Sequence, residues 1–380
     1  MTEKFLYFQP EYVREFICDG AKCDARCCKR NWKINVDAKT FELYKRIPSA
    51  SKAREITACF TYNADAEEYF LKDSPCPFLT EKKLCSLQLE YGEKFLPLTC
   101  ATYPRRTLNF GRFFERSLVL SCPVAAEMIL FNAAPMKFEL VEVTEPTHSH
   151  DGKLKINSVH AGQKFAEHML EMQIAMISIL QERTLTIDQR LIVLGFFLDK
   201  LDEIISDGLE DDALTKLVAA YESKKFLSEQ VPRMLAVVTF NAEKFSERLL
   251  ELLETIHDEK FVAAKELLIY EKISADTRKN FTARRPTFME NFLVNELFMT
   301  CLPWKFQASV VKNFGVFVAS YKIFELLTLA AAQKNFSDKD LLELTVWFTK
   351  LSDHGDGFTQ KILDVVPDDI FATMETLLEP

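Results

Sequence analysis

Beyond about residue 155, apolar positions recur every third or fourth residue, the period of one helix face. The pattern predicts helices over about 160–183, 211–223, 228–255, 258–272, 286–300, 307–332, 337–352 and 357–365. Another begins at Thr186, which with Gln189 makes a capping box opening TIDQRLIVLGFFLDKLDEII. Pro232 should shape or interrupt one of these helices. No fixed self-similarity of solenoid length recurs, which argues against a regular repeat array. The abundant phenylalanines, 32 in all, are expected to fill the helical core.

The first third reads differently. VDAKTFELYKRI predicts a short helix capped by Asp37. YPRRTLNF and RFFERSLVLS flank Gly111 and predict a hairpin. Pro123 suits the first position of a helix PVAAEMILF, which puts Cys122 at a helix N-terminus, where the dipole favours a thiolate. The stretch AAPMKFELVEVTEPTHSHDGKLKINS is a polar, proline-containing connector. The expected fold is therefore mainly α. An irregular, Cys-rich α+β metal-binding domain (1–135) precedes a connector (136–156) and an all-α multi-helix domain (157–380).

Charge divides the chain at a similar place. Residues 1–122 carry 20 Lys+Arg against 16 Asp+Glu, a net of +4, which leaves −13 of the overall −9 to the remainder. An acidic chain of this kind argues against a general nucleic-acid binder. The N-terminus shows no apolar signal core or small-residue cleavage site. The best apolar stretch, LVLSCPVAAEMILFNAAPM, is interrupted by Pro123 and Glu127. These features predict no membrane segment and a cytoplasmic location. In a reducing compartment, clustered cysteines are metal ligands or redox groups more often than disulfides.

Cysteine placement is the informative feature. One group is Cys18, Cys23, Cys27 and Cys28; a second comprises Cys76, Cys85, Cys100 and Cys122. Thiolates are soft ligands suited to iron–sulfur clusters and zinc, and both need about four ligands on converging loops. The spacing is neither a paired zinc ribbon nor a ferredoxin run, so it leaves the metal open between iron and zinc. Cys27 and Cys28 are adjacent. In an extended chain their side chains would point to opposite sides, so either two metal sites exist or one of the pair is structural or redox-active. Cys59 and Cys301 stand apart and are expected in the core. Lys29, Arg30, Lys33, Arg105 and Arg106 flank the candidate ligands and could offset thiolate charge, bind an anion, or simply form a solvated face.

Glycine-rich dinucleotide and phosphate loops, H-E-x-x-H and G-x-S-x-G are all missing. His148 and His150 fall in the connector and read as solvated; the six histidines form no clear ligand pair.

The N-terminal third resembles the YkgJ-type cysteine cluster, thought to chelate iron or zinc. More specifically, three segments are similar to the bacterial flagellin lysine-N-methylase family of FliB type. They are Cys18…Cys23…Cys27-Cys28-x3-Trp32-Lys33, CPFLTEKKLCSLQLEYGEKFLPLTCATYPR and SLVLSCPVAA. FMENFLVNELF (288–298) and the Leu302-Pro303-Trp304 segment look like that family's helical portion. The first cysteine gap, of four residues, departs from the commonest spacing of the cluster family and leaves open which thiolates ligate.

The resemblance implies S-adenosylmethionine-dependent methylation of flagellin lysines by an enzyme holding an iron–sulfur cluster, of [4Fe-4S] type; zinc is the alternative metal. The competing reading is a non-catalytic iron or zinc chelator with a partner-docking helical domain. A cluster with an open iron could hold the methyl donor by its amino and carboxylate groups, which would replace an absent glycine-rich site; a purely structural cluster is equally compatible. Tyr103, Arg105 and Arg106 follow a candidate ligand and are candidate donor contacts. Glu290, Asn291 and Asn295 cluster within little more than one turn among apolar Phe292, Leu293 and Leu297. They could contact donor or peptide, or cap a neighbouring helix.

Overall fold

The computed structural model describes residues 4–20, 22–29, 34–65, 67–72, 75–110, 113–143, 162–208, 211–241, 244, 247, 273–303, 309–354 and 357–379. The chain is mainly helical, with its strands in the N-terminal region. In order, the first part contains β1 (Phe5–Pro10), α1 (Tyr12–Glu15), β2 (Asn35–Val36), α2 (Ala38–Lys45), α3 (Ala50–Ala58), β3 (Phe60–Asn63) and β4 (Glu68–Leu71). It continues through α4 (Ser86–Tyr91), α5 (Leu98–Thr102), β5 (Arg105–Asn109), β6 (Phe114–Leu118), α6 (Pro123–Leu130) and β7 (Phe138–Val143). The helical part contains α7 (Gly162–Leu180), α8 (Ile187–Ser206), α9 (Asp211–Glu222), α10 (Lys224–Val237), α11 (Ala275–Arg284) and α12 (Phe288–Thr300). It ends with α13 (Val310–Gln333), α14 (Asp338–His354), α15 (Phe358–Val365) and α16 (Ile370–Leu377).

Local signals act where the chain spells them out. The Asp37 carboxylate accepts from Thr40 N–H at 2.9 Å and opens α2. Both halves of the Thr186–Gln189 capping box form. Pro123 takes the first position of α6, with Cys122 as its N-cap. The antiparallel pair β5–β6 is the expected hairpin, and it joins a larger sheet of order β5-β6-β1-β7. There β1 runs parallel to β6 and antiparallel to β7.

Several expectations need correction. The connector 136–156 does not begin as a polar coil: Phe138–Val143 is strand β7, paired along its whole length with β1. Its alternation of Phe138, Leu140 and Val141 with glutamates was masked by the proline- and histidine-rich stretch that follows. The helix predicted over 228–255 breaks after Val237. Val238 is extended, within a β-branched run, and Asn241 N–H donates to Glu375 O at 3.1 Å. Pro232 lies inside α10 without ending it. Helices α3, α11 and α16 were not anticipated. The helix predicted over 258–272, together with Arg30, Trp32, Lys33, Trp304, His148 and His150, lies outside the described residues.

Two apolar cores form among the described residues. The larger joins Phe8, Val13, Leu118 and Ile129 from the first part to α7, α8, α12, α13, α15 and α16. The smaller gathers Val36, Phe41, Tyr44, Phe60, Phe78 and Leu87 around the β2-β4-β3 sheet. Gly195 lets α8 approach its neighbours: a Cβ there would lie 2.6 Å from Met374 Sδ and 3.2 Å from Phe314. Helix α13 is long and apolar enough to cross a membrane by length and composition, yet 89% of its apolar window is buried inside the protein. It carries the buried Lys322, which donates to Asp188 at 2.9 Å and pairs with Glu325 at 2.9 Å. This ion cluster pins α13 to the start of α8 with its charges compensated.

Candidate metal centre

All eight cysteines of the two sequence groups line one cavity of about 150 Å³. Its walls draw on both cores, with Phe16 from the larger and Phe60, Phe78 and Leu87 from the smaller. None of the ten cysteines forms a disulfide.

Turns, caps and close backbone approach bring the sulfurs together. The first group rides on a turn in which Asp24 and Ala25 adopt left-handed conformations (φ 59° and 51°). Asp24 pairs with both Lys29 and Lys83, and these two cations hold its carboxyl down at about 2. Thus the first cysteine turn is tied to the loop before Cys85. Gly20 permits the same approach from the other side: a Cβ there would lie 2.9 Å from the Lys83 carbonyl oxygen. Arg26 forms an ion pair with Glu343 of α14, which fastens the turn to the helical part.

The turn also overturns the expectation for the adjacent pair. Cys27 and Cys28 are not in extended chain, and their sulfurs stand 3.9 Å apart on the same cavity. Two ligands of one tetrahedral centre with ~2.3 Å metal–sulfur bonds stand roughly 3.8 Å apart. The pair is therefore spaced as neighbouring ligands would be.

In the second group, Cys76 N–H donates to Cys28 O at 3.0 Å, and Leu79 bridges to Cys85. Cys85 and Cys122 are the N-caps of α4 and α6, and Cys100 lies within α5. Nearby backbone N–H groups draw three of these thiols downward: that of Phe78 acts on Cys76, those of Gln88 and Leu87 on Cys85, and those of Ala125 and Val124 on Cys122. Such groups favour thiolates, but the thiolate expected at Cys122 from its place before a helix is not favoured on balance. Burial nevertheless outweighs them while the sulfurs carry protons. It pushes the Cys76 and Cys122 thiols up to about 11, and the Cys85 thiol up as well. Part of Cys100 reaches solvent, yet enough protein surrounds it for burial to push its thiol up to about 12. The Cys28 thiol is raised first by its hydrogen bond with Cys27, then by burial.

Mutual influence among the thiols follows two sets. Cys18 and Cys122 feel Cys23 and Cys27. Cys28 and Cys100 feel Cys27 and Cys76, and Cys100 also feels Cys85. Cys27 is common to both. Among the described residues, no three His, Cys, Asp or Glu side chains form a ready-made coordination sphere. The cavity gathers eight sulfurs between apolar walls, and sulfur is the donor type that soft metals prefer.

The other candidates disperse. Tyr103 lines the cavity, and its hydroxyl is 3.2 Å from Ser121 Oγ. Arg105 donates to Phe16 O at 3.0 Å and influences Cys18. Arg106, its neighbour on β5, influences buried Cys301 instead. Cys59 is half-buried against the smaller core. Glu290, Asn291 and Asn295 are buried in α12 and do not line the cysteine cavity. Glu290 accepts from Arg183 and Arg190, each at 2.8 Å. Asn295 Nδ2 donates to Leu118 O at 3.3 Å, and its Oδ1 accepts from the Tyr12 hydroxyl. Lys83, at the cavity wall, was not anticipated; its place within CPFLTEKKLC, two residues before Cys85, was the available signal.

A family model described as the FliB lysine N-methylase C-terminal domain matches residues 173–379, more than half of the chain. The chain belongs to the FliB lysine N-methylase family. The FMENFLVNELF segment, now seen as α12, falls inside the matched region. Over 128 residues the chain is 32% identical to the flagellar biosynthetic protein FliU of Salmonella muenchen, covering 32% of this chain and 75% of that protein. It is 31% identical over 135 residues to a lysine-N-methylase of Salmonella choleraesuis (strain SC-B67) and 33% identical over 128 residues to one of Salmonella typhimurium (strain LT2). Each of these two matches covers 32% of this chain and 32% of the relative, so the alignment spans about a third of each lysine-N-methylase. No solved structure matches the chain.

Proposed function

We propose that this FliB-family chain methylates lysine side chains of flagellin with S-adenosylmethionine as donor, in the bacterial cytoplasm, and that cysteines of its first third hold a [4Fe-4S] cluster. The observation that carries this reading is the lining of one cavity by all eight candidate ligands, in a member of a lysine N-methylase family. When bound, such a cluster supplies soft iron able to chelate the amino and carboxylate groups of the donor.

The chain's own residues have two tasks. The first is to hold the donor beside the cysteines, where Tyr103 lines the cavity and can engage polar groups, and where the Arg105 guanidinium, outside the lining but near enough to act on Cys18, favours an anionic one. The second concerns the lysine, which with a free pKa of about 10.4 is protonated at neutral pH and attacks a methyl group only as the neutral amine. Phe16, Phe60, Phe78 and Leu87 make an apolar wall that excludes water and favours the neutral form.

Incubating anaerobically purified protein with methyl-labelled S-adenosylmethionine and unmodified flagellin tests the reading. Label on flagellin lysines is the expected result. An intact cluster with no transferred label would overturn it and favour a metal-binding module without catalysis.

A further inference from the structure

Eight sulfurs are more than one centre uses. A [4Fe-4S] cluster takes four thiolates and so does a single tetrahedral ion, which leaves at least four of the eight cavity cysteines without a task. Core filling does not account for the surplus, since Cys18 and Cys100 are exposed.

Backbone and packing sort the eight into two sets. Cys28 O accepts from Cys76 N–H at 3.0 Å, Leu79 links Cys76 to Cys85, and both of these pack against the smaller core. Cys100 joins them through α5, whose Thr99 hydroxyl donates to Asn35 Oδ1 of β2 at 3.1 Å. The remaining four belong with the larger core. Cys122 is part of it, and Cys18 follows Phe16 of the same core by two residues. Lys22 pairs with Glu127 of α6 at 3.1 Å, which places the turn carrying Cys23 and Cys27 beside the helix that Cys122 precedes. The influence of the thiols on one another keeps to this division: Cys23 acts on Cys18 and Cys122, and Cys76 on Cys28 and Cys100. Cys27 acts on both sets and marks where they abut. Ligands facing each other across abutting centres stand as close as two ligands of one, which the 3.9 Å between the Cys27 and Cys28 sulfurs allows.

We propose that the cavity holds two soft-metal centres: the cluster on Cys28, Cys76, Cys85 and Cys100, and a single divalent ion, zinc or ferrous iron, on Cys18, Cys23, Cys27 and Cys122. The inference rests on the methylase reading only for the cluster. The sulfurs of Cys18-x4-Cys23-x3-Cys27 have the close spacing of ligands to one tetrahedral ion. The other set comes from four separate segments, the wider frame that a cluster needs. Exposed Cys18 gives the ion an entry path. Each ligating thiol gives up its proton as its bond to the ion forms. Since no ready-made sphere exists among the described residues, binding draws the turn toward α6. The ion thereby fixes the turn from which Cys28 reaches the cluster, and its role is positioning.

Zinc, iron and acid-labile sulfide, measured per chain in the anaerobically purified full-length protein and its variants, test the division. Wild type should carry iron and sulfide in equal amounts plus one further metal ion, read as zinc or as iron in excess of sulfide. Cys18→Ser and Cys23→Ser should lose the further ion and keep most of the sulfide. Cys76→Ser should lose the sulfide and keep the ion. Cys18→Ser carries the most weight, because that side chain is exposed and its replacement opens no core. Metal equal to sulfide in the wild type, or a further ion that persists in both Cys18→Ser and Cys23→Ser, would overturn the proposal. Loss of sulfide from all three variants together would overturn it too, since one shared centre behaves that way. Two separable centres in a chain that transfers no methyl group would sustain the inference and remove the methylase reading.

Discussion

Cys76 and Cys28 are joined through their backbones: the Cys76 N–H donates to the Cys28 carbonyl at 3.0 Å. This bond draws together two cysteine groups separated by about fifty residues and makes them walls of one cavity. Around it, the Asp24 pairs with Lys29 and Lys83 and the close approach of Gly20 to Lys83 hold the same junction. The rigidity of the junction lies in backbone and loop contacts, so it survives where exposed ion pairs alone would contribute little.

Gly20→Ala tests that junction. The added Cβ meets a backbone oxygen at 2.9 Å, which no side-chain rotation relieves. Thermal unfolding should show a loss of about 1–3 kcal/mol. Bound metal should fall as well, because the displaced loop carries Cys18, Cys23, Cys27 and Cys28.

Alkaline pH should weaken the metal-free protein. The Cys122 thiol is buried and pushed from its ordinary 9.0 up to about 11. The folded chain therefore keeps a proton that the unfolded chain releases. The stability this contributes is fully present below pH 9 and is lost as pH rises through about 11. The melting temperature should drop across that window, and less steeply in Cys122→Ala. Metal loading at pH 7 should release protons, readable as a dependence of the binding heat on the ionisation enthalpy of the buffer.

Glu290 separates structural from chemical roles for the polar residues of α12. It accepts from Arg183 and from Arg190, whose side chain is only 8% exposed. Glu290→Gln leaves the Arg190 charge buried without its counter-ion and should cost about 3–5 kcal/mol in urea unfolding. Methyl transfer per folded molecule should not change. A fully stable variant with lost turnover would instead put Glu290 in the chemistry.

The helical part was legible because its faces repeat. Thr186, Gln189 and the apolar stripe after them needed no tertiary information. The break after Val237 and the strand at Phe138–Val143 were not legible, since each is decided by a partner distant in sequence, Glu375 in one case and β1 in the other. At the candidate site, residue type named the eight cysteines. Spacing could not place them, and the alternation rule misplaced Cys27 and Cys28 because two left-handed residues just before them turn the chain out of extension. The roles of Asn291 and Asn295 were undecidable from sequence, since what their amides reach, Ile129, Asn132, Leu118 and Tyr12, lies more than 150 residues away.

The central claim is that thiolates from both groups hold iron, and metal and sulfide analysis of anaerobically purified protein tests it most directly. The account predicts iron with acid-labile sulfide in the wild type, and loss of most of both in Cys28→Ser and in Cys76→Ser, while Cys301→Ser keeps them. Zinc without sulfide, or full iron content in the Cys28 and Cys76 variants, would contradict it.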